Sequence, residues 1–276
     1  MQPFSLFAPA KVNLALHVLG RRADGYHDLD SIVVFADVGD RLTFTPSDRF
    51  AIAVSGPFAA ALPQAEDNII AKSWAAAQAI AARRGRALPA FNVHLEKNLP
   101  VASGIGGGSA NAAAALKGFL RVAGIDAIDD EVIAAGLAIG ADVPVCLAGV
   151  ACRMQGVGER ITPLSGLAPL KAILVNPLVA VSTPAVFKSL ALEKGQSHGA
   201  AIADERDPAT WRNDLSQPAM ALAPIIGEVL QRLAATPGVT RAFMSGSGAT
   251  CVALLADDTA TPDLNPHWWA ARTVLG

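Results

Sequence analysis

Cysteine is scarce in this chain: Cys146, Cys152 and Cys251 are the three among 276 residues. An odd count with neither CxxC nor metal-ligand spacing argues against a disulfide framework and a thiolate metal site. It reads as reduced core thiols in a cytoplasmic protein. Charge is sparse too, at 17% of residues with a formal net charge of −2. The densest basic clusters are Arg21-Arg22 and Arg83-Arg84-Gly85-Arg86. Neither makes the basic stripe that tracking a phosphate backbone needs, so no nucleic-acid partner is expected. Long hydrophobic runs are lacking: the most apolar window, AILVNPLVAV from Ala172 to Val181, is broken by Asn176 and Pro177. No membrane span is therefore expected. The first residues, MQPFSLFAPAK, contain Ala8-Pro9-Ala10 in the style of a cleavage site, but without a basic flank or a sufficient apolar stretch. There is no internal repeat or low-complexity tract, and nothing implies a protein partner.

What is present is a globular composition, 52% hydrophobic, enough for one large or two modest domains. In KVNLALHVLG, Val12, Leu14, Leu16 and Val18 alternate as on one face of a strand. The turn RRADGYHD, centred on Asp24-Gly25, and the strand SIVVFADV complete a hairpin. DRLTFT and FAIAVSG extend the β pattern, so the first sixty residues read as antiparallel sheet. EDNIIAKSWAAAQAIAARRG is a helix with Asp67 or Asn68 as cap and Gly85 as stop. AFNVHLEKNLP returns to strand, with Phe91, Val93 and Leu95 on one face. A helix from about Ser109 to Val122 follows, then another capped by Asp129 or Asp130 and ended by Gly140. Beyond about residue 160 come a strand in KAILVNP and a helix in STPAVFKSL, capped by Ser182 or Thr183 with Pro184 in its first turn. LSQPAMALAPIIGEVLQRLAATPG reads as helical, and VTRAFMSGSGATCVALL as two strands about a glycine turn. Strands and helices mix without strict βαβ alternation, which argues for α+β.

The stretch SGIGGGSANAAAAL, from Ser103 to Leu116, sets four glycines directly before a helix. A linker would not join a good strand to a good helix by so few residues, and a plain turn needs one or two glycines. Glycine lets backbone N–H groups converge on an anion, and the helix N-terminus adds its partial positive charge. The loop therefore reads as a phosphate cradle, with Ser109 and Asn111 as further donors. It lacks the Gly-Lys-Ser/Thr of a Walker A loop, and Asp126 is not placed as the acid of a dinucleotide fingerprint. A side chain at Gly107 would fill the cradle and bar a positive φ there.

PVASGIGGGSANAAAAL resembles the second signature of the GHMP small-molecule kinases. APAKVNLALHV resembles their first signature and MSGSGATCVALL their third, in the same order and spanning nearly the whole chain. GRRADGYHDLDSI, IGADVPVCLAG and GVGE resemble the branch whose acceptor is a cytidine diphosphate-linked methylerythritol, on the non-mevalonate route to isoprenoids. The resemblance implies an ATP-dependent kinase using Mg2+. It implies two α+β lobes, residues 1–160 like ribosomal S5 and 161–276 ferredoxin-like, with the active site between them. The phosphate acceptor would be the 2-hydroxyl of the methylerythritol unit.

Residue by residue, the resemblance makes Asp142, in GADVP, the catalytic base; composition alone leaves it a turn aspartate. Lys11 would support it, although a surface lysine reads equally well from sequence. Asn13, two residues on and on the same side of the strand, falls to substrate hydrogen bonding. Tyr26, the single tyrosine, with His27 and Phe187 would receive cytosine by stacking and edge hydrogen bonds; each is otherwise an ordinary loop or core aromatic. Thr183 matches a ribose-side contact or is a helix cap. The nucleotide would be held by Pro100, Val101, Ala102, Ser103, Gly104, Ile105, Gly106, Gly107, Gly108, Ser109 and Asn111. Asn68 and Lys97 match positions near adenine, though a helix cap and a solvated strand end explain them too. Related kinases often carry Ser-Ser where this chain has Gly107-Gly108, so Ser109 alone remains as a magnesium candidate.

Overall fold

The computed structural model describes residues 2–62 and 68–276, so the alternative cap Asp67 lies outside the described residues. The chain divides into two compact units, each built from separated segments. The first comprises Met1–Ala10, Gly39–Val101 and Gly106–Gly149; the second comprises Lys11–Val38, Ala102–Ile105 and Val150–Gly276. Strand β1 (Phe4–Arg21) and strand β2 (His27–Pro46) each begin in one unit and end in the other.

In the first unit, Arg41–Pro46 of β2 pair antiparallel with β4 (Phe91–Glu96), whose residues alternate strictly between buried and exposed. Strand β3 (Ala51–Ser55) lies on the other side of β4 and runs parallel to it. This corrects the expectation of antiparallel pairing throughout the first sixty residues: the connection from β3 to β4 is a crossover, and a crossover returns a parallel neighbour. That crossover contains α1 (Ile69–Arg83), whose N-cap is Asn68, its side chain accepting from the Ile70 N–H at 2.9 Å. Helix α1 packs on α2 (Gly107–Val122), and α2 packs on α4 (Val143–Ala148); α3 (Asp130–Ile139) is capped by Asp129 and ended at Gly140. Aromatic rings centre this core. Phe4 stacks on Phe44 at 4.8 Å, and Phe119 meets Phe44 and Trp74 edge-on at 5.5 and 5.0 Å. Gly118 lets α2 approach the sheet, because a Cβ there would run into the Phe44 ring.

In the second unit, β2 pairs antiparallel with β5 (Cys152–Gly156) at Leu29–Val33 and with β10 (Trp269–Leu275) at Ala36, and it also pairs with β1. From β2 the order runs β10, β7 (Leu170–Asn176), β9 (Cys251–Leu255), β8 (Val239–Met244), while β5 leads to β6 (Arg160–Pro163), and these pairings are all antiparallel. Strands β5, β6 and β10 carry no turn or alternation signal strong enough to be read from the sequence. Helices α5 (Thr183–Ser189), α6 (Ser216–Leu222) and α7 (Ile225–Ala234) cover one face. Their Val186, Ala219, Ile226, Val229 and Leu233 join Ile173, Val175, Met244 and Ala253 in one buried cluster. The segment expected as one helix is two, separated at Ala223-Pro224, because proline has no N–H to continue the ladder. Both faces of β1 are covered beyond Phe7: Val12, Leu14 and Val18 are buried, and so are Lys11, Asn13 and His17.

Candidate active site

The second unit contributes the first half of the glycine loop, Ala102–Ile105, packed backbone to backbone against the turn after β8. Ser103 O accepts from the Thr250 N–H at 3.1 Å, and Ser245 Oγ donates to Gly104 O at 3.1 Å. Gly104 has φ +74°, and a Cβ there would lie 2.6 Å from the carbonyl oxygens of Gly248 and Ser245. Gly246 meets Gly104 O in the same way. Gly104 of the second signature and Gly246 of the third are thus required by close approach of two backbones.

Lys11 lies beside this layer. Its N–H donates to Ile105 O at 2.9 Å, and the residue is 4% exposed, which rules out the surface-lysine reading. Two residues on, the Asn13 N–H donates to Ser245 Oγ at 3.1 Å and its Nδ2 to Ser31 Oγ at 2.7 Å. Asn13 Oδ1 is buried without a partner. The Cys152 thiol is pushed up to about 11 by burial, against an opposing pull from the Lys11 charge, so it faces the amine as a neutral group.

The base-binding candidates also fall in the second unit. The rings of His27 and Phe187 stack, centroids 4.7 Å apart at 29°. Tyr26 is 61% exposed; its backbone is tied down, the N–H donating to Asp24 Oδ1 at 3.1 Å and the carbonyl accepting from the Arg22 N–H at 2.7 Å. The ring on Phe187 is therefore that of His27, not of Tyr26. Burial, then the Arg21 charge, holds the His27 imidazole below its ordinary pKa and so neutral, with one ring nitrogen to donate and one to accept. Thr183 is the first residue of α5 rather than its cap, which is Ser182; its hydroxyl lies 2.7 Å from Ser247 Oγ.

The first unit holds the second half of the loop and Asp142. Gly106 has φ +64° and serves as the N-cap of α2. Gly107 is the first helical residue, so the positive φ expected of it belongs to Gly104 and Gly106 instead. The helical ladder starts with the Ala110 N–H on Gly106 O at 2.8 Å, so the N–H groups of Gly107, Gly108 and Ser109 precede it. A Cβ on Gly108 would meet nothing within 4 Å. Left-handed glycine, an open face and leading N–H groups make a cradle that fits a nucleotide polyphosphate. Asn111 Oδ1, buried without a partner, is a further acceptor on this helix. Asn68 is the α1 cap already described. Lys97 is not a solvated strand end: it is 2% exposed and its ammonium lies 2.6 Å from the buried Asp40 carboxylate. Asp142 occupies the N-cap position of α4, yet its side chain makes no capping bond there. Pro100 and Val101 lie where β4 leads toward the loop, in the first unit.

The half-buried Asp142 and the glycine-led N-terminus of α2 thus belong to the first unit, and the buried Lys11 to the second. Sequence comparison identifies the chemistry. The GHMP kinase N-terminal domain matches residues 68–150, and the GHMP kinase C-terminal domain residues 197–263. The chain belongs to the GHMP kinases. It is 48% identical to the 4-diphosphocytidyl-2-C-methyl-D-erythritol kinase of Dinoroseobacter shibae, covering 99% of this chain and 96% of that one. A kinase of the same name from Paramagnetospirillum magneticum is 46% identical, covering 100% and 99%. Among solved structures, a 4-(cytidine 5'-diphospho)-2C-methyl-D-erythritol kinase superposes with a TM-score of 0.79 at 28% identity, covering 99% of both chains. The homoserine kinase of Cytophaga hutchinsonii, at 16% identity and a TM-score of 0.66, shares the fold. The protein is a small-molecule kinase of α+β architecture, and no helix among the described residues is long and apolar enough to cross a membrane.

Proposed function

We propose that this kinase transfers the terminal phosphoryl group of ATP to the 2-hydroxyl of 4-diphosphocytidyl-2-C-methyl-D-erythritol, in the non-mevalonate route to isoprenoid precursors, in the cytoplasm. The observation that carries the acceptor assignment is the stacked pair of His27 and Phe187 in one unit. Homoserine and mevalonate bring no base to such a pair, whereas cytosine stacks and offers a polar edge. Stacking of one base on an aromatic ring contributes about 1–3 kcal/mol. A neutral His27 meets that edge by hydrogen bonding, Tyr26 shields its exposed side, Thr183 takes the ribose, and Asn13 binds the methylerythritol.

Asp142 accepts the proton of the 2-hydroxyl. Lys11 stabilises the charge that develops on that oxygen and favours the ionised aspartate. The segment from Pro100 to Ser109 with Asn111 holds the nucleotide, its leading N–H groups directed at phosphate, while Asn68 and Lys97 bind on the adenine side. ATP supplies the phosphoryl group. Magnesium, carried on the phosphates, neutralises them; Ser109 is the side chain that would reach it, and no acidic or histidine cluster occurs among the described residues. Residues 1–160 thus supply nucleotide and acid–base groups, and residues 161–276 the remaining acceptor contacts. ADP release, coupled to an absorbance readout, tests this with the cytidylyl acceptor, homoserine and mevalonate in parallel. Turnover with the cytidylyl acceptor alone is expected; preference for either other alcohol would refute the assignment.

A further inference from the structure

The buried Asp40 was not singled out by any sequence motif, yet its side chain makes three hydrogen bonds within the first unit. It ends the approach of β2 to β4 and is 0% exposed. Its Oδ2 accepts from Lys97 Nζ at 2.6 Å, and its Oδ1 accepts from the Asn98 and Leu99 N–H groups at 2.7 and 2.8 Å. One carboxylate thus holds three successive residues. The Lys97 backbone is fixed on its other side: its N–H donates to Ser55 O at 2.8 Å and its carbonyl accepts from the Phe58 N–H at 3.2 Å. Gly56, at φ +95°, allows that approach, since a Cβ would lie 2.6 Å from Lys97 O.

What this clamp presents is the first turn of α2. A Cβ built on Gly107 would lie 3.3 Å from Lys97 Nζ and 3.5 Å from Leu99 Cδ1. The ammonium therefore touches the residue that opens the helix, with the carboxylate behind it. The pair is neutral as a whole, but its positive end points at a helix terminus that is itself positive. Two like-signed groups adjoin there at an energetic cost unless an anion joins them.

Resting on the kinase reading above, we propose that Asp40 is a positioning residue for the nucleotide: it holds the Lys97 ammonium, assigned above to the adenine side, and the Asn98-Leu99 backbone against the opening turn of α2, so that ammonium and helix terminus act together on the nucleotide where it meets its phosphates. Burial lowers the Lys97 pKa and the Asp40 charge opposes that shift. Asp40 is the charged group facing the ammonium from β2, while Arg41 and Glu96, the next pair in register, are exposed.

The test is calorimetric titration of the full chain with ADP and with a non-hydrolysable ATP analogue, beside steady-state KM for each substrate. Asp40→Asn keeps an oxygen for the two N–H groups and removes the charge. Nucleotide affinity should fall roughly 10- to 100-fold, the scale of one charge-assisted contact, with the acceptor KM within about twofold of wild type. Affinity in this variant should recover as pH is lowered and Lys97 regains its proton, while wild type stays flat. The double variant Asp40→Asn/Lys97→Met leaves a neutral pair, which buried sites tolerate. It should fold and, at every pH, bind nucleotide as weakly as the single variant does at neutral pH, without the recovery at low pH. Wild-type nucleotide affinity at neutral pH in either folded variant would overturn the proposal while leaving the kinase reading intact. A wild-type chain that binds no nucleotide would overturn both.

Discussion

A carboxylate and an ammonium carry the chemistry proposed here, and each can be silenced without changing its shape. Asp142→Asn removes the base; kcat should fall by about 10²–10⁴, the range for general base catalysis, with little change in acceptor affinity. Lys11→Met should also lower kcat. The double variant should be no worse than the poorer single one, because both groups are assigned to one oxygen. Single-turnover transfer at saturating ATP and acceptor measures all three, and near-normal transfer by Asp142→Asn would remove it from the mechanism. His27 makes a second prediction. Its pKa is lowered by burial, then by Arg21, so the unfolded chain takes up the proton first as pH falls below the ordinary 6.5. The stability contributed by the neutral ring is present above 6.5 and lost as pH falls through the lower folded value. The KM for the cytidylyl acceptor should accordingly be level from pH 8 to just below 6.5 and rise beneath that. His27→Ala should raise KM at pH 7.5 and abolish that rise; an unchanged profile would separate the ring from the acceptor.

The glycine loop shows at the scale of an element why identical residues can serve opposite ends. Gly104→Ala puts a methyl 2.6 Å from two carbonyl oxygens at a positive φ, so it should cost stability and lower the thermal midpoint. Gly108→Ala enters open space within a helix, where alanine is better by about 1 kcal/mol. The Gly108→Ala protein should melt no lower than wild type yet show a raised KM for ATP, because its methyl occupies the face assigned to phosphate. Thermal melting and ATP kinetics on the two variants check both; unchanged ATP kinetics in Gly108→Ala would make that glycine a helix residue only. The sequence announced this loop because four glycines before an alanine-rich helix have few other uses. Likewise Asn68, Asp129 and Gly140 were legible as caps and a stop, and Phe91, Val93 and Leu95 as one strand face, since those signals are local. Strand β10 was not legible: WAARTVL has no clean alternation, and its place is set by partners at β2 and β7. Nor did any local pattern reveal that Asp40 and Lys97, 57 residues apart, form a buried pair, or that the partner of Phe187 is His27 rather than Tyr26.

Across the whole chain, long-range closures hold the fold, and one is nearly all electrostatic. The buried Asp30 on β2 accepts from Arg153 Nε and Nη2 at 2.8 and 2.7 Å and from the Ile202 N–H at 2.8 Å. Burial alone would raise its pKa. The Arg153 and Ile202 hydrogen bonds with the Arg153 charge outweigh that, and the carboxyl lies below its ordinary value. Its contribution is thus present above the ordinary carboxylate range and lost as pH falls through the folded value. Arg153→Met leaves the charge buried and unpaired, which should destabilise by about 3–5 kcal/mol at pH 7. The penalty should shrink toward pH 4, where Asp30 in the variant can take a proton. Urea denaturation of wild type and variant at both pH values checks this; an equal penalty at both would mean lost packing, not lost charge.

The interleaved course of the chain also bears on its synthesis. Strand β10 lies between β2 and β7, with Leu275 opposite Ala36 and Gly276 exchanging both backbone bonds with Phe35 at 2.9 Å. On a ribosome, the β7 edge, and β2 at Phe35-Ala36, must wait without this neighbour until residue 275 has cleared the exit tunnel. Through that interval the chain offers two sticky margins to any other strand in the cell. A nascent chain stalled short of residue 269 is a natural client for a chaperone, and the completed sheet is not.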